Sequence, residues 1–331
     1  YGPHIFHTGS KRVYDYLSRF TGWRDYQHRV LARYTPEGGL MPVPFNLTSL
    51  RTAFGEEKGA ELEEKLIGKY GAETKVSILK LREDEDPEIR ELADYVYEHV
   101  FVHYTVKQWG TPPEEIDPAT IARVPVFLSR DDRYFQDPYQ GIPEKGYTAL
   151  FEKMLDYPGI EVVLNCPAES RVAFQEDGTV TLDGVPFSGK VVYTGAVDEL
   201  FGLKFGRLPY RTLDFQFETW DKEYFQPCAT VNYTVSEDYT RITEFKYFLG
   251  QKLPQTTTVK EYSRAYTGAD GEIPYYAIIN PENNALYEKY RALAGKYQGL
   301  YLLGRLAEYK YYNMDAITLR ALELADTLIG G

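Results

Sequence analysis

Arginine and tyrosine keep company along this chain: Arg130-Asp131-Asp132-Arg133-Tyr134, Tyr239-Thr240-Arg241, Arg305 next to Gly304, and Arg123 closing a Pro-interrupted polar stretch. A guanidinium offers a planar fork of N–H donors and a phenol adds a hydroxyl, a combination that suits a diphosphate. For any one of these arginines the competing role is an ion pair, since the chain carries 49 Asp and Glu against 37 Lys and Arg. Tyrosine is abundant at 30 residues. It joins a ring that stacks on sugars or bases to a hydroxyl that bonds phosphate or sugar oxygens, although most of the 30 are expected to be structural. His99 and His103 stand at the spacing that turns two imidazoles to one helix face for zinc. The intervening Val100-Phe101-Val102 lacks the Glu of a metalloprotease helix and no third ligand is apparent, so packing or a hydrogen bond is the expected role and no metal is assigned. His4 and His7 follow Gly2-Pro3, a backbone-constraining pair able to hold a loop close to a flat ligand. No Gly-x-Ser-x-Gly elbow, Walker loop or Gly-x-Gly-x-x-Gly fingerprint occurs, and no protein nucleophile stands out.

The elements that must position these residues come from a chain of 331 residues, long enough for two or three domains with full-sized cores. Its net charge of −12 lacks the basic footprint of nucleic-acid binding. Cys166 and Cys228 form neither a disulfide framework nor a Cys-x-x-Cys pattern, which points to a reducing compartment, and the expected location is cytoplasmic. No apolar run reaches the roughly 18 to 20 residues that cross a bilayer.

Ser10 caps a helix expected to run through Phe20, and Trp23 to Phe45 reads as a hairpin turning at Gly38-Gly39. A helix-rich block follows from Thr48 to about Trp109. Its main helix opens with Asp86 as N-cap and Pro87 in the first turn, and Ile89, Leu92, Ala93, Val96, Tyr97, Val100, Phe101 and Tyr104 form one apolar face. Asp117-Pro118 repeats the cap signal for a short helix to Ala122, and the polar stretch Glu114 to Val126 is expected to act as a lid. Tyr147 to Asp156 reads as a helix and Glu161 to Leu164 as a buried strand. Asp177-Gly178 and Asp183-Gly184 mark hairpin turns in an antiparallel excursion from Arg171 to Thr194. From Leu213 the apolar residues alternate, with Leu213, Phe215 and Phe217 on one face. Similar patterns over Thr230 to Val235, Thr240 to Phe248 and Thr256 to Tyr262 predict an antiparallel sheet of at least four strands. A helix from Glu282 to Lys296, a strand from Leu300 to Leu303, Gly304 and a last helix from about Asn313 to Leu328 complete the chain. A Gly between strand and helix offers backbone N–H groups to an anion.

Several segments, taken together, resemble one family, the bacterial UDP-galactopyranose mutases. They are Tyr1-Gly-Pro-His-Ile-Phe-His-Thr8, Gln27-His-Arg-Val-Leu-Ala32, Pro42-Val-Pro-Phe-Asn46, Tyr104-Thr-Val-Lys-Gln-Trp-Gly110, Arg123-Val-Pro-Val126, Asp131-Asp-Arg-Tyr-Phe135, Tyr139-Gln-Gly-Ile-Pro143, Asn232-Tyr-Thr234, Tyr239-Thr-Arg-Ile242 and Gly304-Arg-Leu-Ala-Glu-Tyr-Lys-Tyr-Tyr-Asn-Met-Asp315. The resemblance implies a mixed α/β flavoprotein in three parts. A glutathione-reductase-like, Rossmann-type FAD-binding domain takes 1-20, 143-204 and 281-331, a helical domain 46-112, and an antiparallel-sheet substrate domain 21-45, 113-142 and 205-280. It further implies reversible isomerisation of UDP-galactopyranose to UDP-galactofuranose for bacterial cell-surface polysaccharide. In that chemistry reduced flavin attacks the anomeric carbon, expels UDP and forms a flavin–sugar adduct. Such proteins begin with a strand and a Gly-rich turn for the ADP part of FAD, so a Gly-x-Gly-x-x-Gly turn is expected upstream of Tyr1.

Carried over position by position, the resemblance makes Arg123 and Arg241 the pair on the diphosphate, with Tyr134, Tyr312 and either Tyr275 or Tyr276 around it. Tyr104 would stack on uracil beside Thr105 and Trp109, and Asn232 would lie near sugar or phosphate. His4 would sit on the flavin face, with Thr194, Gly195, Gly304, Arg305, Asn313 and Met314 lining FAD; core packing is the alternative role for Trp109. The implied partner is UDP-galactose or UDP, and the implied assembly is a homodimer or larger homo-oligomer. Two other functions stay open from the residues: a flavin oxidoreductase of the amine-oxidase type, and a non-catalytic nucleotide-sugar binder.

Overall fold

Asp86 and Pro87 do start a helix in the structure, a computed structural model that describes residues 3–110 and 125–330. The Asp86 carboxylate accepts from the Glu88 N–H at 2.9 Å, and Ile89, Leu92, Ala93 and Val96 are buried. They pack with Leu62 and Leu66 of the helix Glu56–Tyr70, with Ile78 and Leu81 of Ile78–Arg82, and with Met41, Val43 and Phe45. The chain runs on to Trp109, but not as the single α-helix its periodicity suggests. A π-helical segment, Tyr97–Val102, separates the α-helices Pro87–Val96 and His103–Trp109. The wider turn rotates later positions relative to earlier ones, so Val100 and Phe101 remain buried while Tyr97 and Tyr104 are half-buried.

This helical layer belongs to the first of two compact units, made of the described parts of Tyr1–Ile5, Asp25–Ile142 and Leu213–Arg264. The same unit holds most of a sheet in which strands lie in the order Tyr210–Trp220, Thr256–Ala265, Arg241–Glu244, Thr230–Tyr233, Val30–Arg33 and Leu40–Val43, the first of them belonging to this unit from Leu213 on. The expected hairpin is present, with Val30 opposite Val43 and Gly38 at φ +99° in its turn. Its first strand, Val30–Arg33, also pairs in parallel with Thr230–Tyr233, Val30 facing Thr230, a long-range junction that alternation does not reveal.

Two strand expectations are corrected in this unit. The run from Thr240 to Phe248 is extended through Glu244 and then turns into the helix Lys246–Leu249. The extended run ends where the buried Glu244 carboxylate accepts the N–H groups of Phe225 and Gln226, both at 3.0 Å. Phe215 and Phe217 are exposed rather than buried, Phe217 stacking on Phe245, because the buried part of their strand is its beginning, Tyr210–Thr212.

The second unit comprises Phe6–Arg24, Pro143–Thr212 and the described part of Ala265–Gly331. Ser10 caps the helix Lys11–Leu17, shorter than expected, by accepting from the Val13 N–H. Asn280 caps Pro281–Ala294 in the same way through Asn283, at 2.8 Å. The meander Val172–Phe174, Val180–Leu182 and Val185–Pro186 turns at Asp183 and Gly184, with φ +52° and +78°, the two positive values a tight hairpin turn demands. Strand Val191–Tyr193 pairs in parallel with Leu300–Leu302. Glu161 to Leu164 forms no strand: no described segment pairs with it, and Val162, Val163 and Leu164 are at least half exposed.

Candidate active site

In the first unit, four of the residues assigned by resemblance fall on neighbouring elements. Asn232 and Arg241 face each other across the antiparallel pair Thr230–Tyr233 and Arg241–Glu244, and Arg241 faces Glu261 on the next strand. One row across three strands therefore carries an amide, a guanidinium and a carboxylate. Arg241 Nε lies 2.8 Å from Glu261 Oε2, with the Glu261 side chain 1 % exposed. Asn232 Oδ1 and Glu261 Oε1 are buried and have no hydrogen-bond partner among the described residues. Buried orphan acceptors cost about 1–3 kcal/mol each, which is tolerated where a ligand or water completes the set.

The helix His103–Trp109 brings Tyr104, half-buried, and Thr105, buried. It is fastened to the sheet at both its middle and its end. Lys107 Nζ donates to main-chain carbonyls at Tyr233, Glu237 and Tyr239, and Ser263 Oγ donates to the Gln108 carbonyl at 2.9 Å. Trp109 closes this helix; its side chain lies outside the described set. Tyr134 packs elsewhere: its N–H donates to the His28 carbonyl at 2.7 Å, and its ring lies edge-on to His28 and Phe135. Arg123, the Asp117-Pro118 helix and all of the expected lid up to Val124 lie outside the described residues. His4 is exposed just before the strand Phe6–Thr8. His99 stacks on Tyr95 at 4.1 Å with Nδ1 2.9 Å from the Tyr95 carbonyl oxygen, a packing role.

In the second unit the parallel strands Val191–Tyr193 and Leu300–Leu302 end side by side, so Thr194-Gly195 and Leu303-Gly304 share one sheet edge, the carboxyl end at which α/β folds bind ligands. Gly304 has φ +102°, and a Cβ there would meet nothing within 4 Å; glycine is required by the backbone, and the space above it is open. Its N–H is not free for an anion, as the sequence suggests, but donates to Glu308 Oε2 at 2.9 Å. The chain then turns through Tyr309 before the helix Met314–Gly330 begins, and Asn313 accepts from the Ile317 N–H.

Arg305 Nε donates to the Tyr312 carbonyl at 2.7 Å, and its guanidinium lies 4.4 Å from the Tyr311 ring centroid and 5.6 Å from that of Tyr276. Burial first, and Glu308 after it, push the Tyr312 phenol pKa up, so the hydroxyl stays protonated and can donate. Tyr275 is buried and Tyr276 half-buried. Met314 packs against the cluster of Phe6, Val13 and Leu17.

Sequence reasoning passed over three charged residues. Glu261 sits at a buried position of its strand, where an acid is kept when it is paired. Lys107 falls inside the Tyr104–Gly110 motif. Arg211 is 7 % exposed; burial pulls its pKa down, with Tyr275 as the opposing influence. A guanidinium at the first turn of a long alternating strand carries no signal of burial in sequence.

A profile of the UDP-galactopyranose mutase family matches residues 99–311. A probable UDP-galactopyranose mutase of Klebsiella pneumoniae is 35 % identical over 331 residues, covering 99 % of this chain and 81 % of the relative. A dTDP-fucopyranose mutase of Escherichia coli is 34 % identical over 99 % of this chain and 84 % of its own length. A crystal structure of a reduced UDP-galactopyranose mutase superposes with a TM-score of 0.65 at 16 % identity, over 99 % of this chain and 83 % of the other.

Proposed function

The chain belongs to the UDP-galactopyranose mutase family, and we propose that it interconverts UDP-galactopyranose and UDP-galactofuranose with Arg241 and Arg123 on the diphosphate. What supports the assignment of the site is the row Asn232, Arg241, Glu261, to whose strands the helix of Tyr104 and Thr105 is tied. A diphosphate leaving group gains negative charge as its glycosidic bond breaks. A guanidinium fixed in place by a buried carboxylate meets that charge without reorganising, which lowers the barrier more than it tightens ground-state binding. Tyr104 stacks on the base, with Thr105 and Trp109 beside it, and Asn232 Oδ1 accepts from a sugar hydroxyl. Of the two candidate phenols in the second unit, Tyr276 is the half-buried one and lies beside Arg305 and Tyr311, so it is preferred over the buried Tyr275.

FAD fits the second unit: Gly304, on the sheet edge it shares with Thr194 and Gly195, has open space on its Cβ side for a flat group. Arg305, Asn313 and Met314 complete that set. When bound in its reduced form, the flavin supplies the nucleophile that this chain's own side chains lack. The protein orients the sugar and stabilises the departing UDP. No described helix is long and apolar enough to cross a membrane. We place the enzyme in the cytoplasm as a homodimer or larger homo-oligomer, making the furanose donor for cell-surface polysaccharide.

The test is incubation of the dithionite-reduced holoenzyme with UDP-galactofuranose and chromatographic detection of UDP-galactopyranose. The expected result is conversion to an equilibrium mixture, with little turnover by the oxidised enzyme. A flavin-loaded, reduced protein that leaves the substrate untouched would overturn the reading. Because the relative named for dTDP-fucopyranose is as similar as that named for UDP-galactopyranose, dTDP-fucopyranose is run beside it. Preference for that sugar nucleotide would keep the mutase chemistry and move the substrate.

A further inference from the structure

Lys107 lies on the helix that carries Tyr104 and Thr105, and its ammonium is spent on three main-chain carbonyls. Those at Glu237 and Tyr239 are 3.0 and 3.2 Å away, and the third, at Tyr233, is closer still. Tyr233 ends strand Thr230–Tyr233, which holds Asn232, and Glu237 and Tyr239 lie in the connection from it to strand Arg241–Glu244, which begins with Arg241. A compact ammonium has three N–H donors and no acceptor, so it can serve three carbonyls at once. We propose that Lys107 is a positioning residue for nucleotide recognition: its ammonium locks the Tyr104 helix to the Asn232–Arg241 hairpin, and UDP binding weakens when that ammonium loses a proton. This inference rests on reading the first unit as the UDP site.

The surroundings support a titratable lock. Burial drives the Lys107 pKa down to about 8, with Glu237 and Asp238 pulling the other way. Glu237 is itself within 3.4 Å of Arg33 on the neighbouring strand, which offsets part of its charge. The phenols facing the connection do not titrate in this range: burial raises the pKa of both Tyr233 and Tyr239, the latter to about 12. Lys260 lies over the Tyr239 ring and is paired with Glu218 at 3.2 Å. On its own helix the group one turn earlier is His103, which is exposed. Above pH 8 a neutral amine offers two N–H donors to three carbonyls and no charge, and the helix and hairpin are free to part.

UDP affinity of the flavin-loaded protein, measured calorimetrically from pH 7 to pH 9.5, tests this. Wild type is expected to lose about tenfold in affinity across a single-proton transition near pH 8. Lys107→Arg keeps a charge that does not titrate and should bind UDP with a flat profile. Lys107→Met should bind about tenfold more weakly at pH 7, also with a flat profile. Retention of the wild-type transition in Lys107→Arg would overturn the proposal even where Lys107→Met fails to fold. So would a flat wild-type profile with UDP bound throughout. Absence of UDP binding by wild type at every pH would instead remove the reading of the site on which the proposal stands.

Discussion

Arg241 is anchored to a carboxylate with almost no access to water, which holds the guanidinium on the sheet. Arg241→Ala should lower turnover by roughly 10²-fold, with a smaller loss in UDP affinity and unchanged flavin content. Arg241→Lys should recover part of the rate, since charge returns without the planar fork. Equal turnover in Arg241→Ala and wild type would remove Arg241 from the site. A second residue-scale prediction concerns Asp84, buried among Lys69, Tyr70 and the Asp86 N–H. Burial alone would raise its pKa, but those three donors outweigh burial and bring it down from 3.8 to about 2. Ionised Asp84 therefore stabilises the fold above pH ~4, and the contribution is lost as pH falls through about 2. Asp84→Asn should cost roughly 1–2 kcal/mol at pH 7 by urea unfolding. The gap to wild type should shrink between pH 5 and pH 2; a constant gap would show that the charge is not what matters.

At the scale of elements, caps and turns decide where structure starts. Leu92, fully buried on the helix Pro87–Val96, is a clean test of the helical core. Leu92→Ala should lose about 2–5 kcal/mol, read by urea unfolding. Gly304→Ala acts through the backbone, because φ +102° is strained for any side chain although space is open. It should cost about 1–3 kcal/mol and lower the fraction of protein purified with flavin; full flavin occupancy in that variant would argue against Gly304 at the cofactor. These elements differ in how far the sequence announces them. Asp86-Pro87, Ser10 and Asp183-Gly184 are local signals, and each cap or turn forms where it is written. The π-helical segment Tyr97–Val102 is not legible, since it depends on how two helices and a sheet are packed. Val162 to Leu164 has the composition of a strand, but a strand also needs a neighbour. In the same way, motif matching reached Asn232 and Arg241 but not Glu261, whose role appears once three strands are in register.

For the whole molecule, the path of the chain matters more than any one contact. It passes between the two units at five points, after residues 5, 24, 142, 212 and 264, so neither is a continuous segment. Expressed alone, residues 1–142 should show no cooperative thermal melt by circular dichroism, because strand Val30–Arg33 has lost the neighbour Thr230–Tyr233. A sharp melt with native-like ellipticity would contradict this. That parallel pairing also sets a clock. Val30 leaves the ribosome 200 residues before Thr230, which faces it in the finished sheet. At roughly 5–20 residues per second, synthesis leaves one edge of the strand unpaired for about 10–40 s, an interval in which another chain can occupy it. Soluble yield is therefore expected to fall as ribosomes are packed more densely on one message, even where the finished enzyme is equally stable.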